Sequence, residues 1–499
     1  MESFVSLNLT NNKLKNIEVN FGNKELVAIK YLTVYENDRI GIVGRNGQGK
    51  TTLLNLIQGK LSPNSGEVNR FVEFNYFKQM EETNNLYEFD DLNAELISRF
   101  TIPRNTIEVL SGGEENKLRL ARVLSNYKMG LLMDEPTTHL DGKSIQLLID
   151  ELSYYYGTMI LVSHDRYFLN QLVNKIWEIE DGKVTEYPGN YSDYMKQKEQ
   201  KKLEEARGFE KVEKEKTRLE QAITQKRKQA KKMSSVSEKN KKRNIKPDRL
   251  SSSKQKDSAQ KAVQKSAKAL ESRVNHLEDI EKKETIKPIQ FPTSSALELY
   301  NRFPIMGQSI NLYAGDKLLL DNVDFQFPLG KRIAITGDNG TGKSTLLHSI
   351  LNEAEGMIVS KKVIFSSYKQ MDYKLTGSVP VIDYLMKQTD YPENTVRSIL
   401  NNLGFKQTEI LKPVNTLSGG EAIRISMASL FVRPSNVLIL DEPTNFIDIQ
   451  TIEALEGFIK QYPGTIIFTS HDNYFVEKIA DQIWKITDKK LSLMKGDVL

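Results

Sequence analysis

The sequence predicts two α/β domains of one design joined by a long antiparallel α-helical hairpin. The first observation behind this is a repeat on the scale of a domain. Gly44-Arg45-Asn46-Gly47-Gln48-Gly49-Lys50-Thr51 returns as Gly337-Asp338-Asn339-Gly340-Thr341-Gly342-Lys343-Ser344, and three further motifs return in the same order. The second is length, since 499 residues exceed one core at ~100 to 200 residues per domain. The third is charge. Residues 191 to 290 carry 29 Lys and Arg against 16 Asp and Glu, a balance of +13, so the rest of the chain holds -8 of the net +5. A basic segment between two mildly acidic bodies suits an anionic partner met by the middle of the chain.

Composition removes whole classes of chemistry. Without cysteine there is no disulfide framework, thiolate metal site or cysteine nucleophile, and five scattered histidines form no zinc cluster. No apolar run approaches the ~18 to 20 residues of a spanning helix. The opening Met-Glu-Ser-Phe lacks the basic-then-apolar order of a secretory signal. A soluble, cytoplasmic protein is expected.

The first domain, residues 1 to 192, places the strand pattern Arg39-Ile40-Gly41-Ile42-Val43 before the glycine-rich run and an amphipathic helix after it, beginning Thr52-Leu53-Leu54. That order is what a phosphate loop requires. Gly44, Gly47 and Gly49 let the backbone curl around Asn46, so that successive N–H groups and the helix N-terminus face phosphate oxygens. Lys50 adds a positive charge at the β/γ-phosphates, and the Thr51 hydroxyl is suited to Mg²⁺. In the last domain, residues 285 to 499, Gly337, Asn339, Gly340, Gly342, Lys343, Ser344 and Thr345 repeat the arrangement after Arg332-Ile333-Ala334-Ile335-Thr336.

Downstream, Leu110-Ser111-Gly112-Gly113-Glu114 pairs with Leu417-Ser418-Gly419-Gly420-Glu421, and Ser163-His164-Asp165 with Ser470-His471-Asp472. Apolar strands ending at Met133 and Leu440 run into Asp134-Glu135 and Asp441-Glu442, at the carboxyl edge where open α/β sheets bind ligands. Ser111 to Asp134 and Ser418 to Asp441 are both 23 residues, and Glu135 to His164 and Glu442 to His471 are both 29. Chance does not produce that set. Asp134 and Asp441 suit Mg²⁺ or its water, while Glu135 and Glu442 suit activation of a water attacking the γ-phosphorus. His164 and His471 follow further strands and can meet the γ-phosphate from the other side. His139, His276 and His348 read as structural.

The linker, residues 193 to 284, has two legs. Phe209, Val212, Leu219, Ile223, Ala230 and Met233 on the outward leg, and Ala259, Val263, Ala267, Leu270, Val274 and Leu277 on the return, recur at separations of three, four and seven. The outward helix is expected over 195 to 232. Between the legs lies an irregular basic tip, about 233 to 256, containing Lys239, Lys241, Lys242, Arg243, Lys246, Arg249, Lys254 and Lys256. From Lys226 to Lys256 there are 13 Lys and Arg against two acids, a balance suited to RNA phosphates.

Together the phosphate loop, the Leu-Ser-Gly-Gly-Glu signature, the Asp-Glu-Pro-Thr strand end and the switch histidine resemble the ATP-binding cassette ATPases over both halves. The resemblance implies two P-loop ATP-binding cassette domains forming an intramolecular dimer in a monomeric protein. By it, Ser111, Gly112 and Gly113 serve the nucleotide on Lys343, and Ser418, Gly419 and Gly420 serve the one on Lys50. Gln79 and Gln370 look like Mg²⁺-sensing glutamines, and Phe21 and Tyr313 are placed to stack on adenine. Pro188-Gly189-Asn190-Tyr191-Ser192-Asp193-Tyr194 leading into a charged linker, with no membrane domain, resembles the ABC-F group, which acts on ribosomes.

Lys246-Pro247-Asp248-Arg249-Leu250-Ser251 is similar to the tip of that group's antibiotic-resistance members. This implies an ATP- and Mg²⁺-dependent protein whose partners are large-subunit rRNA at the ribosomal exit site and peptidyl-tRNA. It would displace lincosamide, pleuromutilin or streptogramin A drugs. Two alternatives stay open: a housekeeping translation factor of the same group and, less favoured, the tandem ATPase subunit of a membrane importer.

Overall fold

The computed structural model describes residues 10–21, 24–78, 92–102, 112–242, 265–266, 268–270, 272–274, 291, 298–368, 375, 377–445 and 447–496. Residues Met1–Tyr194 and Ile286–Leu499 form one compact unit and Met195–Thr285 a second.

In the first cassette, β1 (Thr10–Phe21), β2 (Lys24–Tyr35) and β4 (Ser65–Arg70) form an antiparallel wing. It continues into a core of β5 (Phe74–Phe77), β6 (Gly130–Asp134), β7 (Thr158–Val162), β3 (Arg39–Gly44), β8 (Lys175–Glu180) and β9 (Lys183–Pro188), in that spatial order. Every residue of β6 and β7 is buried. Unbroken apolar runs such as Met159-Ile160-Leu161-Val162 therefore sit in the middle of a parallel sheet covered on both faces. The crossovers are α1 (Lys50–Gln58), α2 (Ala94–Arg99), α3 (Gly112–Ser125), α4 (Gly142–Ser153) and α5 (Arg166–Leu172). Asp141 and Asp165 cap α4 and α5 by accepting the Ser144 and Phe168 amides.

After the linker helix α6 (Tyr191–Lys242), the second cassette repeats the plan. β10 (Ile305–Ala314), β11 (Lys317–Phe327) and β13 (Met357–Val359) make the antiparallel sheet. The other sheet has the order β14 (Phe365–Tyr368), β15 (Val437–Leu440), β16 (Thr465–Thr469), β12 (Arg332–Thr336), β17 (Gln482–Thr487) and β18 (Lys490–Lys495), matching the core of the first cassette strand for strand. Its helices are α7 (Lys343–Leu351), α8 (Val381–Met386), α9 (Glu393–Asn402), α10 (Gly419–Val432), α11 (Ile449–Gln461) and α12 (Asn473–Ile479).

α10 is buried along most of its length because Ala422, Ile425, Ala428 and Val432 are apolar at helical spacing. Phe431 on this helix meets Phe458 edge-on at 5.1 Å and stacks on Phe291 at 5.6 Å.

In the second unit, Leu219, Ile223 and Val274 are buried together with Leu270 against them. Lys226 lies beside Ser266 while Glu215 lies 3.6 Å from Arg273, so advancing along one leg retreats along the other, as in an antiparallel hairpin. The outward helix runs to Lys242, ten residues past its expected end. Residues 233 to 242, assigned from sequence to the irregular tip, are therefore helical. The physical reason is that no proline or glycine occurs between Gly208 and Pro247, and serine and asparagine cost an exposed helix only a few tenths of a kcal/mol each, at most ~0.7. Residues 243 to 264 lie outside the described residues, as do the side chains of Lys239, Lys241 and Lys242.

Phe431→Ala should destabilise the second cassette by about 3 to 5 kcal/mol. The check is a lowered denaturation midpoint for that cassette, with the circular dichroism of the linker helix unchanged below the transition.

Candidate active site

Each phosphate loop turns on a glycine that heads its helix in the left-handed conformation, Gly49 at φ 95° and Gly342 at φ 104°. A side chain at Gly49 would meet Val27 Cγ2 at 2.8 Å. Glycine alone fits both the angle and the space. The lysine after each glycine folds back over the loop. Lys50 Nζ donates to the carbonyls of Gly44 (2.9 Å) and Arg45 (3.3 Å) and to Asn46 Oδ1 (3.2 Å). Lys343 Nζ donates to the carbonyls of Gly337 (2.9 Å) and Asp338 (3.0 Å). Burial lowers the affinity of both ammonium groups for their protons, against the pull of Glu135 and Glu442.

The strand-end carboxylates face these loops. Thr51 Oγ1 donates to Asp134 Oδ2 at 2.7 Å, and Ser344 Oγ donates to Asp441 Oδ1 at 3.0 Å. The next residues, Glu135 and Glu442, have φ of 53° and 46°, a left-handed backbone that a glutamate adopts only when its surroundings impose it. The Glu135 N–H is held by the Val162 carbonyl and the Glu442 N–H by Thr469 Oγ1, both at 2.9 Å. One oxygen of each carboxyl accepts the backbone N–H of the switch histidine, His164 or His471, at 3.2 Å. Burial raises Glu135 to about 8 and Glu442 to about 7, the range in which a general base is poised at neutral pH. Burial and the nearby lysines drop His164 to about 3 and His471 to about 4. Both rings are therefore neutral, and their 3.4 and 3.3 Å approaches to the glutamates are not ion pairs.

One cleft of about 1070 Å³ is lined by both sets of groups, Lys50, Thr51, Glu135 and His164 from one cassette with Lys343, Ser344, Glu442 and His471 from the other. Contacts cross between the cassettes beside it. The Asn46 N–H donates to Asp448 Oδ2 at 3.1 Å, Arg45 bonds Gln450, and Lys143 Nζ meets Asp338 Oδ2 at 2.7 Å. Burial opposes the Asp448 carboxylate, but hydrogen bonds from Thr451 and Asn46 outweigh it and hold its pKa below the usual range. A side chain at Gly420 would come within 3.9 Å of Asn46, so the second signature turn faces the first phosphate loop. Ser418 caps α10 in a reciprocal box with Glu421.

Ser111, Gln79 and Gln370 lie outside the described residues, as does the side chain of Phe21; Gly112 and Gly113 open α3. Tyr313 is exposed on β10 beside Ala314, which lines the cleft. His139, read from sequence as structural, lines the cleft at φ 62°. Asp448 and the exposed His139 are not separable from neighbouring polar residues by motif alone.

The residues fit a magnesium nucleotide. Two buried cations lie over left-handed glycine turns, hard oxygen donors stand beside them, and Glu135 Oε1, Glu442 Oε1 and His164 Nδ1 are buried without a hydrogen-bond partner.

Family profiles described as ABC transporter match residues 30–138 and 320–445, and another with that description matches 177–244. The erythromycin resistance ATP-binding protein MsrA of Staphylococcus epidermidis is 44% identical over 494 residues, covering 98% of this chain and 99% of its own. The chain belongs to the ABC-F family. ATP hydrolysis is its chemistry. The ribosome protection protein VmlR of Bacillus subtilis (strain 168) is 35% identical over 496 residues, 96% of this chain and 88% of its own. Among solved structures, RNase-L Inhibitor superposes with a TM-score of 0.61 at 18% identity, over 96% of this chain and 90% of its own, and shares the fold. No helix among the described residues is long and apolar enough to cross a membrane.

Replacing Glu135 and Glu442 together by Gln should cut ATP turnover by about 10²- to 10⁴-fold. Nucleotide binding, read by fluorescence of a labelled ATP, should be retained.

Proposed function

We propose that this chain is a ribosome-protection ATPase. With ATP between its cassettes it binds the ribosome at the tRNA exit site and presents the basic linker to large-subunit rRNA and peptidyl-tRNA near the peptidyl-transferase centre. It thereby dislodges a bound antibiotic and leaves after hydrolysis. The observation that supports this reading is similarity along nearly the whole chain to proteins named for erythromycin resistance and ribosome protection. The +13 balance of residues 191 to 290 supplies the chemistry, because lysine and arginine on phosphates release counterions and bind RNA irrespective of sequence.

In this reading Lys50 and Lys343 hold the β- and γ-phosphates over their loops. Ser418 with Gly419 and Gly420, and Ser111 with Gly112 and Gly113, close the opposite sides. Thr51, Asp134 and Gln79 in one site, and Ser344, Asp441 and Gln370 in the other, are the oxygen donors for Mg²⁺, which when bound offsets charge on the phosphates. Glu135 and Glu442 take the proton of the attacking water, and His164 and His471 hydrogen-bond the γ-phosphate. Phe21 and Tyr313 stack on adenine. Lys239, Lys241, Lys242, Arg243, Lys246, Arg249, Lys254 and Lys256 meet RNA phosphates.

The name of the MsrA relative adds erythromycin to the drugs expected from sequence. In a sensitive bacterium expressing the chain, tolerance to erythromycin or to lincosamide, pleuromutilin or streptogramin A drugs should rise. It should fall back when residues 243 to 256, beyond the end of α6, are replaced by a short Gly-Ser turn. Unchanged tolerance with ATP-dependent ribosome binding intact would move the assignment to a housekeeping translation factor.

A further inference from the structure

The motif Pro188 to Tyr194 lines no part of the cleft, yet it is held by a set of side-chain contacts of its own. Asn190 and Asp193 cap the start of α6 reciprocally: the Asp193 N–H donates to Asn190 Oδ1 at 3.0 Å and the Asn190 N–H to Asp193 Oδ2 at 3.3 Å. Tyr194 donates to Glu178 at 2.8 Å, and its ring meets Tyr187 edge-on at 5.1 Å and lies 5.7 Å from Tyr191. The Ser192 N–H donates to Asn170 Oδ1 at 2.9 Å. Asn170 is on α5, four residues after Arg166 and so on the same face of that helix.

Arg166 is the unusual member of this group. It stands two residues after His164, is 2% exposed, and its Nη1 bonds Glu456 Oε1 of α11 in the second cassette at 2.6 Å. The Tyr474 ring of that cassette lies 5.3 Å from the guanidinium, and Lys478 holds the other Glu456 oxygen at 2.7 Å. Yet Nε and Nη2 of Arg166 are buried without a hydrogen-bond partner, and so is the Tyr191 hydroxyl. The Arg166 charge and that hydroxyl act on one another electrostatically, while burial keeps the phenol protonated. α11 itself begins at Asp448, which grips the first phosphate loop at Asn46.

We propose that Arg166 is a positioning residue that ties the fit between the two cassettes to the first turn of the linker helix. Glu456 and Tyr474 belong to one cassette, Tyr191 and Asn170 to the other, and Arg166 stands among them with donors to spare. When the cassettes separate, Glu456 withdraws and the guanidinium turns to the Tyr191 hydroxyl. When they close, Glu456 reclaims it and the Tyr191 hydroxyl is released. The two arrangements hold α5, and through Asn170 the Ser192 turn, in different places, which is the two-position element that coupling between distant parts requires.

The chain has no cysteine, so pairs of introduced cysteines can carry spin labels in the full-length Glu135→Gln, Glu442→Gln protein. Labels at Tyr154→Cys and Met494→Cys, both exposed, report cassette separation, and labels at Tyr154→Cys and Lys211→Cys report the linker. ATP should shift both distance distributions in the parent. With Arg166→Gln added, the cassette shift should persist and the linker shift should vanish. Retention of both shifts, or absence of a linker shift in the parent, overturns the proposal. If Arg166→Gln prevents closure, Tyr191→Phe decides, since it leaves the Arg166–Glu456 pair intact. Loss of the linker shift alone supports the relay, and its survival overturns it.

Discussion

The constraint on which the proposed function depends is that a polyphosphate be held by groups contributed from two sides. Lys50 and Lys343 are buried cations whose own loops offer them only carbonyls and, for Lys50, Asn46. The carboxyls opposite are raised by burial into the range where they lose their charge. An anion with its counterion relieves both conditions at once, because a nearby charge of opposite sign favours the ionised form that burial disfavours. The cleft proposed to receive it is walled by both cassettes, so in that proposal occupancy and the fit between the cassettes are one equilibrium.

The two cassettes are copies in topology but not in contact chemistry. The position after the first loop glycine is Arg45 in one and Asp338 in the other. They meet corresponding residues across the interface, Gln450 and Lys143, so one crossing is a cation on an amide and the other an ion pair. Asp448 and the corresponding Asp141 both cap a helix of their own cassette, at Thr451 and Ser144, but Asp448 also accepts the Asn46 N–H across the interface. These differences give the two halves of the cleft unequal surroundings while the parallel cores remain alike.

Much of this was legible in the sequence, for physical reasons that differ by region. The phosphate loops and strand ends were readable because their chemistry needs fixed residue types at fixed spacing, and the central strands because burial on both faces demands unbroken apolar runs. The left-handed backbone at Glu135 and Glu442 was not readable, since glutamate carries no local preference for it and the surrounding structure imposes it. The helix end at Lys242 was misplaced because Ser234, Ser235 and Asn240 resemble a turn by composition, while in an exposed long helix they are merely indifferent formers. The place of His139 at the cleft was not readable, for want of any motif distinguishing a cleft histidine from a packed one. The role of Tyr191 at the linker root depends on Arg166 and Glu456, one 25 residues before it and the other in another cassette.

The central claim is that nucleotide held between the cassettes controls engagement of a ribosome. The most direct measurement is cosedimentation of the Glu135→Gln, Glu442→Gln chain with purified 70S ribosomes, with ATP and without nucleotide. The account predicts near-stoichiometric binding with ATP, and little without it. Equal binding in both conditions, or none in either, would contradict it.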